Sequence, residues 1–109
     1  MTVTELQSAL SLTPLSLPDE EREAEGVYVG DLLSWVMGRA QSGNVWLTIM
    51  SNLNIVAVAT LADVSCIILC EGVSLEDSVR NTAEAKGINV LTTGMTAYEA
   101  AKRLAELGL

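Results

Sequence analysis

The stretch Val45-Trp46-Leu47-Thr48-Ile49-Met50-Ser51-Asn52-Leu53-Asn54-Ile55-Val56-Ala57-Val58-Ala59-Thr60-Leu61-Ala62-Asp63-Val64-Ser65-Cys66-Ile67-Ile68-Leu69-Cys70 decides the fold. Its two ends, Val45 to Ile49 and Cys66 to Cys70, are short runs that are apolar almost throughout. Between them, Ile55 to Leu61 is long enough for about two turns of helix. A strand with no polar face is one covered on both sides, which is the situation of a strand in a parallel sheet. Parallel neighbours need a crossover between them, and the middle segment supplies it.

The same alternation extends outward in both directions. Val27-Tyr28-Val29 reads as a strand ended by Gly30-Asp31, with Asp31 expected as N-cap of a helix from Leu32 to Ala40. Gly43-Asn44 makes a turn, and Asn52 or Asn54 is expected to cap the middle helix. Ser74-Leu75-Glu76-Asp77 reads as the cap of a helix running to Lys86, closed by Gly87, and Ile88 to Leu91 as the fourth core strand. Thr2 to Glu5 and Thr96 to Glu99 each fit a capping box. The first opens a short helix to Leu10; the second opens a last helix with Ala97, Ala100, Ala101, Leu104 and Leu107 on one face. Pro14 and Pro18 bracket an extended piece, and an acidic loop of Asp19, Glu20, Glu21, Glu23 and Glu25 follows. The expected fold is α/β, one domain over residues 1–109, with a mainly parallel sheet and flanking helices.

Composition narrows the function. The chain has 109 residues, half of them apolar, a formal net charge of −8 and no histidine. Six basic residues are scattered, so neither a nucleic-acid surface nor attachment to an anionic membrane is expected. No signal peptide is visible, and two cysteines without secretory context point to a reducing, cytoplasmic location. Cys66 and Cys70 lie on one face of a strand about 13 Å apart, too far for a disulfide. Without histidine, the Ser-His-Asp, Cys-His and HExxH arrangements are impossible, and there is no phosphate loop or GxGxxG. No metal or cofactor is therefore expected.

What remains is topology. Ligands of open parallel sheets bind beyond the carboxyl ends of the strands, beside helix N-termini. The residues falling there are Gly30, Asp31 and Ser34, then Thr48, Ser51 and Asn54, then Gly72, and finally Thr92 and Thr93. Singly, each has a turn or cap role; together on one rim they form a candidate ligand pocket. Trp46 is expected in the core, and Trp35 half exposed at the edge of the buried face.

The blocks Val27 to Ser34, Gly43 to Ile49, Asn54 to Ala59 and Gly87 to Thr93 together resemble the DRTGG domain family. That resemblance implies a parallel α/β fold like the N-terminal domains of HPr kinase/phosphorylase and MurF. It also implies a regulatory or ligand-sensing role without kinase activity, since the kinase's phosphate loop lies outside this module. The leading expectation is a non-catalytic regulatory domain, acting as a homodimer, that binds a small anionic metabolite or nucleotide. The alternative is a protein-interaction adaptor with no small ligand. An enzyme using Cys70 or Asp31 ranks last, because no partner base is visible.

Overall fold

The computed structural model describes residues 1–109. Ten elements follow one another: α1 (Val3–Leu10), β1 (Thr13–Ser16), β2 (Val27–Val29), α2 (Leu33–Arg39), β3 (Val45–Thr48), α3 (Asn54–Ala62), β4 (Cys66–Leu69), α4 (Asp77–Ala85), β5 (Val90–Thr92) and α5 (Ala97–Glu106). The five strands form one sheet in the order β1-β5-β4-β3-β2. β2, β3, β4 and β5 run parallel, as the alternation of strand and helix predicts.

One strand is additional to the four read from sequence. The extended piece after Leu12 becomes β1, which pairs antiparallel with β5, Thr13 opposite Thr92 and Pro14 opposite Leu91. A proline lacks the N–H that a central strand must donate, so Pro14 confines this segment to a sheet edge.

The strand period of two sorts the core into two layers. Val45, Leu47, Cys66, Ile68, Cys70 and Leu91 face α1 and α5. Trp46, Ile67, Leu69 and Val90 face α2, α3 and α4. Every residue of β3 and β4 is buried. Trp46 is fully buried and its indole N–H donates to the Gly30 carbonyl at 2.9 Å, so the one large ring in the core has its polar atom satisfied.

The capping boxes at Thr2 and Thr96 form as read, each hydroxyl accepting from the N–H three residues on. The other caps do not. Asp31 does not cap α2, whose N-cap is Leu32, without a side-chain bond. Neither Ser74 nor Glu76 caps α4 through its side chain. Asn52 accepts from the Asn54 N–H at 3.0 Å, a local turn ahead of α3 whose N-cap position is Leu53.

Two buried asparagines tie the loops to the strand ends opposite the candidate rim. Asn44 donates to the Glu25 carbonyl and accepts from the Gln41 N–H. Asn89, 2% exposed, accepts from the Asp19 N–H at 2.9 Å and donates to the carbonyls of Asp19 and Ser65. The acidic loop is thus anchored at Asp19 by one side chain and at Arg22 by an ion pair to Asp63. Removing the Asn89 amide orphans three backbone groups, each costing about 1–3 kcal/mol where water cannot replace the bond. Asn89→Ala is expected to lower stability by about 3 kcal/mol in urea unfolding, seen as a lower midpoint at unchanged slope.

Candidate functional site

All four parallel strands deliver their carboxyl ends to the same side of the sheet, so the residues read as a rim do share one side of the molecule. They fall into three groups there, and most of their polar atoms are engaged within the chain. At the ends of β2 and β3, Asp31 Oδ1 accepts from the Thr48 hydroxyl at 2.7 Å and from the Ile49 N–H at 3.0 Å. Thr48 Oγ1 in turn accepts from the Met50 N–H at 3.2 Å. Asp31 therefore clamps β2 to β3, and Gly30 sits beside it against the Tyr28 ring.

The ends of β4 and β5 form the second group. Their connections separate, α4 crossing to the face of α2 and α3 while α5 crosses to the face of α1. Such a divergence is where an open sheet leaves a crevice. Here the backbone closes it. Glu71 N–H donates to the Met95 carbonyl at 2.8 Å, Gly72 N–H to the Thr93 carbonyl at 2.9 Å, and Thr93 N–H to the Leu69 carbonyl at 2.9 Å. The Thr92 hydroxyl donates to the Val73 carbonyl, and the Thr93 hydroxyl accepts from the Met95 N–H. Glu71 and Gly72 both adopt the left-handed conformation in this turn, a shape glycine takes without strain at φ +75°.

The third group borders an open space. A hollow of about 410 Å³ lies between the starts of α3 and α4, where Ser51, Asn52 and Leu53 face Ser74, Glu76, Ser78 and Val79. Among the candidates read from sequence, only Ser51 lines it. Asn54 is exposed at the start of α3 and Ser34 is exposed in the first turn of α2, both outside the hollow. Asn52 is read from sequence at the end of β3 as a turn or cap residue, and Ser74, Glu76 and Ser78 are not among the candidates. Ser74 and Glu76 carried a capping pattern in the sequence, which marked the right segment for a different role.

The family profile of the DRTGG domain matches residues 15–107. The chain belongs to the DRTGG domain family. No curated protein matches it by sequence. Among solved structures it is similar to the CBS and DRTGG domains of the regulatory region of Clostridium perfringens pyrophosphatase, in complex with the activator diadenosine tetraphosphate. The TM-score is 0.76 at 16% identity, over 94% of this chain and 45% of that one. The two share a fold, and this chain spans less than half the length of that neighbour.

In this DRTGG domain burial disfavours the thiolate form of both cysteines. Both cysteines are free and buried. Burial pushes Cys66 up to about 12, partly offset by a hydrogen bond with Ser65. Burial pushes Cys70 up to about 11, and the Glu71 and Asp31 carboxylates add to the rise. A nucleophilic cysteine needs the opposite shift, which counts against Cys70 in the third reading from the sequence, while its other candidate, Asp31, is bonded to Thr48 and Ile49. At pH 8 only about a thousandth of Cys70 is thiolate. Both thiols are expected to resist a disulfide reagent in the native protein and to react together once urea unfolds it; rapid labelling of one thiol in the folded state would contradict this.

Proposed function

We propose that the chain is a non-catalytic regulatory domain that binds a small anionic metabolite or a nucleotide in the hollow between α3 and α4. The observation that carries this reading is the start of α4. No side chain caps that helix, so the first-turn N–H groups of Asp77, Ser78 and Val79 have no side-chain acceptor. Ser78 and Val79 also line the hollow. Uncapped amides at the positive end of a helix dipole suit a phosphate or carboxylate group.

The remaining lining residues fit the rest of such a ligand. Ser51 and Ser74 offer hydroxyls. Glu76 offers a carboxylate to the hydroxyls of a ribose, the part an acidic residue takes in dinucleotide-binding folds. Family membership supports a regulatory role, and the structural neighbour is a regulatory region crystallised with a nucleotide activator. The absence of histidine and the protonated thiols accord with a domain that binds and does not catalyse. No helix is long and apolar enough to cross a membrane, and two free thiols suit the cytoplasm.

Calorimetric titration with AMP, ADP, ATP, diadenosine tetraphosphate and inorganic phosphate tests the reading. At least one is expected to bind, and Ser78→Asp is expected to weaken it at least about tenfold. An aspartate in the first turn suits the helix dipole, so the variant keeps its fold while repelling an anion. Binding that survives Ser78→Asp unchanged, or no binding by any of the five, would overturn the proposal.

A further inference from the structure

The two edges of the sheet are finished differently. At β1 the edge is blunted three ways. Pro14 has no N–H to offer, the register slips between Pro14 and Ser16, and Arg80 of α4 donates its Nε–H to the Leu15 carbonyl. These are the devices by which a sheet edge avoids further pairing. At β2 none of them is present.

The backbone of β2 is open on its outer side. Its bonds to β3 include Val45 N–H to the Gly26 carbonyl at 2.9 Å and Gly30 N–H to the Leu47 carbonyl at 3.2 Å. By the alternation of a parallel pair, Gly26, Tyr28 and Gly30 face β3, while Val27 and Val29 turn N–H and C=O away from the sheet. No strand lies there. On the strand Val29 is 51% exposed, and Leu32, three residues beyond it, is 58% exposed.

Carboxylates flank both ends of this strand. Exposed Glu23 and Glu25 precede β2 and Asp31 follows it, while the Asp19 end of the acidic loop is tied to Asn89 at the start of β5. Glu23 takes the N-terminal ammonium, and Arg22, the loop's one cation, is paired with Asp63. Arg39 lies over the Trp35 ring, 3.6 Å from its centroid.

We propose that the β2 edge docks an extended segment of a partner protein, which adds to the sheet as a further strand. Val27 and Val29 exchange hydrogen bonds with it. The segment carries β-branched residues at alternating positions, with lysine or arginine beside them to meet the acidic flanks. A second copy of this chain fits the edge less well. Two β2 strands paired antiparallel about Tyr28 set Glu25 of each opposite Asp31 of the other, and like charges across a strand pair destabilise it.

The test uses the full chain and three synthetic peptides: Lys-Thr-Val-Thr-Val-Thr-Lys, the same peptide with glutamate for both lysines, and the lysine peptide N-methylated at both valines. Docking is read by calorimetric titration of each peptide into the protein. The lysine peptide is expected to bind at least about tenfold tighter than the glutamate peptide, and N-methylation to abolish binding. Val29→Pro, which removes an outward N–H, is expected to do the same with the circular dichroism spectrum kept. The proposal is overturned if N-methylated and unmodified peptides bind equally, or if the lysine peptide shows no binding at about 1 mM. A dimer in sedimentation that Val29→Pro dissolves also overturns it, since the second copy then holds the edge. Neither phosphate nor nucleotide enters these measurements, so their outcome is separate from that of the hollow.

Discussion

The burial of β3 and β4 on both faces is the constraint on which this structure depends. Two runs of four residues, Val45 to Thr48 and Cys66 to Leu69, are buried at every position. Their side chains must therefore be apolar or internally bonded, and Thr48 is the single polar exception, satisfied by Asp31. With no phenylalanine and few aromatics, that volume is filled by aliphatic side chains around Trp46. Helices must cover both sides, and the chain supplies three on one face and two on the other. No buried side-chain nitrogen or oxygen is left without a partner.

That constraint also decides where a ligand can sit. Three successive crossovers move in one direction along the sheet and place α2, α3 and α4 on a single face. Only the last connection crosses to the other face, so connections diverge at one point, between β4 and β5. The space there is taken by the Glu71 to Val73 and Thr93 to Met95 backbones, bonded to each other. The open space is displaced one strand over, between two helices that lie on the same side. A general rule about strand ends thus picks the correct side of the molecule, and the local hydrogen bonding picks the pocket.

The sequence was legible wherever the deciding interaction is local. Thr2 and Thr96 bond to groups three residues away, and both capping boxes form. The two-sided apolar runs located β3 and β4 because burial acts on each residue separately. Asp31 misled because its partners, Thr48 and Ile49, are 17 and 18 residues on, a distance at which no cap pattern helps. β1 stayed hidden because its pairing with β5 spans the whole core of the chain and is announced only by a proline. Ser74, Glu76 and Ser78 carry no signal that separates a lining residue from a turn residue. Their importance comes from the neighbouring loop after β3.

Charge acts on the two proposed surfaces in opposite senses. Every acidic side chain of the chain is at least partly exposed, only two ion pairs form, and the net charge is −8. That field repels an anionic ligand from the hollow, where no cationic side chain stands and backbone amides must supply the attraction. The same field draws a basic segment toward the β2 edge. Added salt screens both effects, with a Debye length of about 10 Å at 0.1 M. It relieves the repulsion at the hollow, where the proposed attraction comes from helix N–H groups and not from a charged side chain. It weakens the attraction at the edge, where the acidic loop is fully solvated. Raising salt from about 0.05 to 0.5 M is therefore expected to leave anion binding unchanged or tighter, as measured by calorimetry, and to weaken the basic peptide. A parallel loss at both would mean that the anion is held by a distant cation, and the uncapped start of α4 would lose its role.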